Sequence, residues 1–182
     1  SQVGCGAGCA FCATGREGLV RNLSADEMLD QVALAQRLLH EEGRVVRNVV
    51  VMGAGEPLHN EAALYTALDV LRDPRCFYLS GRHLMVSTVG LAGPMARLVE
   101  RFPDIRLAWS LHSARPEVRE RIMPAARFQS LEKLRAIFPM IGKHGNFMIE
   151  YLLLKGVNDG PDDLAALIEY LRGAAAPINL LQ

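Results

Sequence analysis

The sequence contains few cysteines, few aromatic residues and no excess of charge of either sign. Its 182 residues include four cysteines and one tryptophan, and 20 basic residues balance 20 acidic ones. A balanced charge gives no overall attraction to nucleic acid or anionic lipid, so either partner would have to bind at a local patch. No apolar run approaches the roughly 20 residues needed to cross a bilayer, and the first residues lack the pattern of a signal peptide. We therefore expect a cytoplasmic protein without a membrane partner.

Length and composition predict one domain. Half of the residues are hydrophobic and 22% are charged, which suits a compact chain able to bury a core. The chain begins with Ser1 instead of methionine, and its densest motif follows within a few residues. We expect residues 1–182 to form a single domain that is a piece of a longer protein.

Five short apolar runs have the length and composition of buried strands. They are residues 44–52, 82–87, 105–111, 147–154 and 176–181. Longer stretches with helical periodicity separate them, and a further strand is expected just before Cys5. Six strands alternating with five helices predict an α/β fold with parallel strands, either an open doubly wound sheet or a partial (β/α)6 barrel of the TIM type.

Several helices have recognisable ends. Ser24 and Glu27 have the spacing of a capping box, and Gly43 supplies a left-handed residue that can end the same helix. Further helices are expected at about 60–71, 91–100, 116–141 with a break near Pro124, and 161–171.

Polar or glycine-rich segments follow the strands, at the ends where parallel sheets bind ligands. They are the cysteine loop, GAGEPLHN, STVG, SLHS and KGVND, and Asn179 lies within the last strand. Glycine after a strand is common in ordinary turns. Six such positions on one rim nevertheless predict a site that contacts a large ligand from several sides.

Cys5, Cys9 and Cys12 lie within eight positions, whereas Cys76 is far along the chain. A structural zinc ion normally needs four ligands, and Cys76 falls in an expected helix-to-strand connection or in the core. A [4Fe–4S] cluster with three thiolates has one open iron, which can bind a substrate or cofactor. The glycines around these cysteines would let backbone N–H groups approach the cluster. Zinc is the alternative.

The segment CGAGCAFC, Cys5 to Cys12, resembles the CxxxCxΦC signature of the radical S-adenosylmethionine (SAM) superfamily, with Phe11 at the aromatic position. This resemblance implies that a [4Fe–4S] cluster binds SAM through its open iron and, once reduced, splits SAM to a 5′-deoxyadenosyl radical.

A narrower resemblance rests on segments along nearly the whole chain. RNLSADEMLDQV, NVVVMGAGEPLHN, SLHS, IEYLLLKGVND and INLL resemble, in order and spacing, the central barrel of the RlmN/Cfr family. Its members methylate adenine of 23S rRNA, at C2 for RlmN-type enzymes and at C8 for Cfr, and RlmN also methylates tRNA. The resemblance implies an RlmN-like methyltransferase core, an RNA substrate, a flavodoxin or ferredoxin as electron donor, and a monomer.

The resemblance also implies roles for individual residues. Cys5, Cys9 and Cys12 would bind the cluster. SAM contacts are implied for Phe11, Gly55, Glu56, Ser87, Ser110, His112 and Asn179. The Glu56 carboxylate would face the ammonium group of SAM. No residue of the chain is assigned a catalytic role.

Each of these polar residues also has a purely structural interpretation. Ser87 and Ser110 can end strands, and His112 can be a hydrogen-bonded core histidine. Asn179 requires a hydrogen-bond partner if it is buried. Glu150 has no role implied by the resemblance, and an internal ion pair is its structural interpretation.

Two cysteines of the family have no counterpart in this sequence. One carries the methyl group and belongs to a C-terminal segment, and the other resolves the RNA adduct and lies a few residues before the position of Ser1. Cys76 matches neither position. The resemblance therefore implies that this chain cleaves SAM without methylating RNA.

Other differences concern RNA binding. Val89 stands where relatives carry serine, and only Arg127 remains in a stretch after Pro124 that is usually basic. RNA phosphates require Lys or Arg, so their contacts would come from elsewhere. The candidate patch consists of Arg16, Arg21, Arg115, Arg119 and Arg121.

Two other functions are also compatible with the sequence. One is a radical SAM enzyme with another substrate, such as a glycyl-radical activase, although GEPLHN together with INLL favours the methyltransferase. The other is a non-catalytic iron–sulfur or zinc-binding module, which counting of bound iron and sulfide would distinguish.

Overall fold

The computed structural model describes residues 1–144, 146–174 and 176–182. Its seven strands are β1 (Gln2–Gly4), β2 (Leu19–Asn22), β3 (Val49–Val51), β4 (Leu84–Thr88), β5 (Arg106–Ser110), β6 (Phe147–Leu152) and β7 (Ile178–Leu181). Strands β3 to β7 form one parallel sheet in sequential order. A doubly wound sheet reverses its strand order partway across, whereas a barrel does not. The sequential order therefore selects the partial barrel over the open sheet.

The strand expected before Cys5 exists as β1, but it does not belong to the parallel sheet. It pairs antiparallel with β2, a strand that the sequence analysis did not predict. The Gln2 N–H donates a hydrogen bond to the carbonyl of Ala54 at 3.1 Å, so β1 still contacts the loop after β3. The parallel sheet thus has five strands in the described residues, instead of the six expected.

Eight α-helices are described: α1 (Ala13–Glu17), α2 (Ala25–Glu41), α3 (Glu61–Arg72), α4 (Ala92–Arg101), α5 (Pro116–Ile122), α6 (Leu131–Ala136), α7 (Phe138–Ile141) and α8 (Pro161–Tyr170). The capping box at Ser24 and Glu27 is confirmed, and Gly43 has a positive φ of 69° just beyond α2. The break near Pro124 is a 3-10 turn, Pro124–Phe128. The short α1 was not predicted.

The two faces of the sheet differ in polarity. Leu84, Val86, Leu107, Trp109 and Ile149 point to the face that packs against the helices and are at most 1% exposed. Because successive strand residues point to opposite faces, the residues between them face the inside of the barrel. Ser87, Ser110 and Glu150 are on that inner face, which explains why polar residues occur in these apolar strands.

The longest α-helix of the described part, α2, has 17 residues. Within the ranges that the structure describes, every helix is too short or too polar to cross a membrane.

Candidate active site

One cavity at the carboxyl ends of the strands collects most of the residues singled out in the sequence. Its volume is about 280 Å³. The predicted residues that line it are Cys5, Cys9, Phe11, Cys12, Gly55, Glu56, Ser87, Ser110 and His112. Glu150 lines it as well. The parallel topology places these segments, which are distant in sequence, around a single space.

The cysteine loop is held by backbone hydrogen bonds on both sides. The Cys5 N–H donates to Gly18 at 2.9 Å, and the Ala10 N–H donates to Ile122, at the end of α5, at 2.9 Å. Cys12 is the N-cap residue of α1, and Gly15 in that helix lies so close to the loop that a Cβ atom there would be 2.9 Å from the Cys9 nitrogen. The loop is therefore packed against the barrel instead of extending into solvent.

The three thiols suit binding to iron. Burial, followed by the nearby thiols and Glu56, raises the pKa of the Cys9 thiol to about 12, and burial also raises the pKa of Cys5. Such thiols become thiolates when a metal cation provides the compensating charge. Each thiolate of a cubane cluster binds a different iron atom. In the described residues, no three Cys, His, Asp or Glu side chains converge closely enough to hold one metal ion.

Cys76 lies apart from the other cysteines. It is exposed, in the connection between α3 and β4, beside a groove lined by Phe77, His83 and Asp104. These residues precede strands β4 and β5, so the groove is at the amino ends of the strands. Cys76 is therefore at the opposite end of the barrel from the cavity and is not a fourth ligand.

The Glu56 carboxylate holds the GEP loop in place. It accepts hydrogen bonds from the Leu58 N–H at 3.0 Å, the Thr88 hydroxyl at 2.7 Å and the Val89 N–H at 2.8 Å. A carboxylate has about four acceptor positions, and three are used by the chain itself. Burial raises the pKa of Glu56, which is 2% exposed. About one acceptor position of Glu56 is therefore left for the expected contact with the ammonium group of SAM.

His112 has a fixed tautomer and is neutral. Its backbone φ is 54°, and its Nδ1 accepts a hydrogen bond from the Leu152 N–H at 3.0 Å, which leaves the proton on Nε2. Burial, with a smaller contribution from the charge of Arg119, lowers the pKa of His112 to about 4. Its ring meets Phe11 edge-on, with centroids 5.0 Å apart. His112 thus presents a neutral N–H donor at the cavity.

Asn158, which the sequence analysis did not single out, connects two strand ends of the site. Its side-chain amide donates to the carbonyls of His112 at 2.6 Å and Leu152 at 2.7 Å, and its oxygen accepts from the Leu154 N–H. The residue is 1% exposed. Its place in the polar KGVND segment after β6 was the available signal.

Arg119 was expected in a surface patch, and the structure contradicts this. Arg119 is 1% exposed, lies over the Trp109 ring at 5.8 Å, and donates to the carbonyls of Val89 and Leu111. Burial lowers its pKa to about 10, so it remains charged at neutral pH. It joins the loops after β4 and β5 and is not available to RNA phosphates.

The remaining arginines of the expected patch differ in their surroundings. Arg21 pairs with Glu27 at 2.7 Å, and Arg115 pairs with Glu117 at 2.9 Å, which neutralises part of their charge. Arg16 and Arg121 are exposed. The structure therefore does not support one continuous basic patch made of these five residues.

Asn179 and Glu150 lie side by side in the sheet. Glu150 pairs in register with Ser110 of β5 on one side and with Asn179 of β7 on the other. Asn179 is half-buried, and Leu181 of the same strand lines the cavity. Glu150 accepts from two serines and has no cationic partner in the described residues, so the expected internal ion pair is wrong.

Gly55 is required by the packing of the GEP loop. Its φ is 96°, and a Cβ atom would lie 2.5 Å from the Cβ atom of Gln2. We expect Gly55→Ala to lower the free energy of unfolding by about 1–3 kcal/mol and to weaken SAM binding, because the loop must shift. Urea denaturation and calorimetric titration with SAM measure the two effects. Gly142→Ala is the matched control, since a Cβ there meets nothing within 4 Å and its φ is −76°. An equal effect of the two substitutions would contradict this role.

The arrangement defines a class of protein. A barrel edge that places three closely spaced thiols beside a cavity of hydrogen-bonding groups is typical of an enzyme with an iron–sulfur cluster that keeps one iron free for a small molecule. Comparison with known proteins identifies the family. Residues 1–171 match the radical SAM superfamily, and the chain belongs to it.

Individual relatives agree with the narrower resemblance. The chain is 44% identical over 183 residues to a probable RNA methyltransferase of Rhodopirellula baltica and 41% identical over 185 residues to the dual-specificity RNA methyltransferase RlmN of Ruthia magnifica. The matches cover 100% of this chain and 48% and 52% of those relatives, so the chain spans about half of their length. The predicted resemblance to RlmN proteins is confirmed.

A solved structure supports the fold. The crystal structure of a radical SAM methyltransferase from Sphaerobacter thermophilus superimposes with a TM-score of 0.93 at 39% sequence identity, covering 98% of this chain and 53% of that one. The predicted α/β fold of the radical SAM type is therefore confirmed. The family's cofactors are a [4Fe–4S] cluster and SAM, and the chemistry of the three thiols fits the cluster.

Proposed function

We propose that this chain is the radical SAM core of an RNA-adenine methyltransferase of the RlmN type. The observation that carries the proposal is the cavity in which the three thiols, the GEP loop and the polar ends of β4 to β6 meet. The names of the relatives direct the choice of substrate to RNA. The proposed target is adenine C2 of 23S rRNA, with tRNA as a second substrate.

In this proposal Cys5, Cys9 and Cys12 hold the cluster, which when bound supplies the electron for cleavage of SAM. The chain's own residues position SAM and exclude water from it. Gly55 allows the loop backbone to approach the methionine end, and Glu56 keeps that loop against β4. Phe11, Ser87, Ser110, His112 and Asn179 are proposed to contact the remainder of SAM.

The proposal separates cleavage of SAM from methyl transfer. Apart from the three proposed cluster ligands, the chain has one cysteine, Cys76, which is at the amino ends of the strands. A cysteine there cannot carry a methyl group to a substrate at the cavity. This chain alone is therefore expected to form 5′-deoxyadenosine and methionine from SAM and to leave RNA unmethylated.

Anaerobic reconstitution with iron and sulfide tests the cofactor part. The expected result is about four irons and four sulfides per chain, and 5′-deoxyadenosine on addition of SAM and dithionite. One zinc ion per chain and no SAM cleavage would contradict the proposal. Methylation of RNA by this chain alone would contradict the separation of the two steps.

A chimera tests the RNA part. Residues 1–182 replace the matching segment of the Ruthia magnifica relative, and the chimera is expressed in a bacterial strain that lacks its own RlmN. Mass spectrometry of 23S rRNA and tRNA is expected to detect 2-methyladenosine, and a chimera with Cys9→Ala is expected to produce none. A chimera that cleaves SAM but never methylates adenine would overturn the RNA assignment.

Three narrower expectations belong to the same proposal. The chain works in the cytoplasm, receives single electrons from a flavodoxin or ferredoxin, and is a monomer. A reduced environment keeps clustered cysteines available for iron, which supports the first. Replacement of dithionite by reduced flavodoxin tests the second, and size-exclusion chromatography with light scattering tests the third.

A further inference from the structure

Glu150 forms a hydrogen-bonded group with two serines on the inner face of the barrel. Its Oε2 accepts from the Ser87 hydroxyl at 3.0 Å and from the Ser110 hydroxyl at 3.3 Å. Its backbone carbonyl accepts from the N–H groups of Leu111 and His112, at 3.1 and 3.3 Å, which holds that part of β6 against β5. The side chain is 5% exposed, and the residue lines the cavity. Glu150 is thus held in place on the wall of the proposed SAM site.

The two buried carboxylates of the cavity are used differently. Both oxygens of Glu56 accept hydrogen bonds from the chain. The Oε1 atom of Glu150 receives none from the described residues, although it belongs to a residue that lines the cavity. Since no fully buried side-chain oxygen or nitrogen of the described residues lacks a hydrogen bond, this Oε1 is accessible to a molecule in the cavity. Glu150 is therefore the carboxylate with acceptor capacity left for a ligand.

The two serines make this group selective for ligand groups that donate hydrogen bonds. Each serine hydroxyl donates its one proton to Glu150, so its Oγ can only accept further hydrogen bonds. The Ser87–Ser110–Glu150 group consequently presents acceptors to the cavity. Ligand hydroxyls and amines suit it, whereas phosphates, which are acceptors themselves, are repelled.

The position of the group relative to the thiols indicates which part of SAM it meets. The Glu56 N–H donates to the Gln2 side chain at 2.8 Å, three residues before Cys5, whereas the Glu150 carboxylate accepts from Ser87 and Ser110 of β4 and β5, so the GEP loop lies beside the segment that carries the thiols. In the proposed function the methionine end of SAM lies against the GEP loop, on the side of the thiols. The Glu150 group then faces the adenosine part, where the ribose diol offers two adjacent donors that suit a carboxylate.

We propose that Glu150 binds the ribose hydroxyls of SAM and that Ser87 and Ser110 position its carboxylate. This inference rests on the proposed function, because it takes SAM as the occupant of the cavity. It assigns the adenosine end to the Glu150 group and the methionine end to the loop held by Glu56.

The test measures binding of SAM and of its 2′,3′-dideoxy analogue to the reconstituted chain without reductant, by calorimetry. Wild-type protein is expected to bind SAM about 10- to 100-fold more tightly than the analogue, because hydrogen bonds to a charged group contribute about 1.5–3 kcal/mol. Glu150→Gln is expected to raise the Kd for SAM by a similar factor and to bind the two ligands equally. The exposed Glu100→Gln variant is the matched control and should behave as wild type.

Iron content and circular dichroism confirm that the variants are loaded and folded. A Glu150→Gln protein that keeps the preference for SAM, or that loses affinity for both ligands equally, would overturn the assignment to the ribose. If that variant does not fold, the wild-type comparison decides, since equal affinity for SAM and the dideoxy analogue also overturns it. If the reconstituted wild-type chain does not bind SAM at all, the proposed function is contradicted, and this inference fails with it.

Discussion

Cys9→Ala is expected to abolish cluster binding and to reduce SAM cleavage by more than about 100-fold. Loss of a residue that only hydrogen-bonds to a metal ligand already costs up to about 100-fold, and loss of a ligand itself should cost more. Cys9 is the most buried of the three thiols, at 8% exposed, and lies in a loop fixed to α1 and α5. Its removal leaves two thiols for a cluster that needs three. Iron and sulfide analysis, the visible absorption spectrum and 5′-deoxyadenosine formation measure the result.

Cys76→Ala is the matched control for this experiment. It removes the same chemical group from an exposed position at the other end of the barrel. Cluster content and SAM cleavage are expected to equal those of the wild type. Equal loss in both variants would show that Cys76 contributes a ligand, and unchanged cluster content in Cys9→Ala would exclude Cys9 from the cluster.

Trp109→Ala is expected to lower the free energy of unfolding by about 3–5 kcal/mol, as is typical for truncation of a large buried aromatic residue. Trp109 is fully buried and packs against Phe138, Phe147 and Tyr170, with ring centroids 5.7, 6.4 and 6.0 Å away. Arg119 lies over its ring. The substitution opens a cavity between the sheet and the helices and removes one contact of a buried cation.

Urea denaturation followed by circular dichroism measures this effect, because the chain has one tryptophan and the variant loses the fluorescence signal. Tyr78→Ala is the control, since Tyr78 is 74% exposed, and a change within about 0.5 kcal/mol is expected. A similarly small change for Trp109→Ala would mean that the aromatic cluster does not anchor the sheet to its helices.

Much of the fold was predictable because local interactions specify it. The capping box of Ser24 and Glu27 depends on residues three positions apart, and the helix begins where the sequence predicts. The valines of β3 and the apolar runs of β4 to β6 favour buried strands whatever their neighbours. β1 was assigned wrongly to the parallel sheet because a three-residue strand carries no information about its partner.

The candidate site was predictable to the extent that strand ends converge. Cys5, Gly55, Ser87, Ser110 and His112 all line one cavity, as the rule on parallel sheets predicts. The hydrogen-bond partners of each side chain could not be predicted from this rule. The Glu56 carboxylate binds Thr88 and Val89 of the neighbouring strand end, and Arg119 turns inward under the loops after β4 and β5.

The sequence by itself determined most of the elements other than α1 and β2, the alternation of strands with helices and the presence of three closely spaced thiols, because propensities, caps and ligand spacing act over a few residues. The tertiary structure alone decided that Glu150 meets Ser87, 63 residues away, and that Cys76 is remote from the other thiols. Such contacts depend on which strands are neighbours and on which face each residue lies. Those properties arise only when the sheet forms.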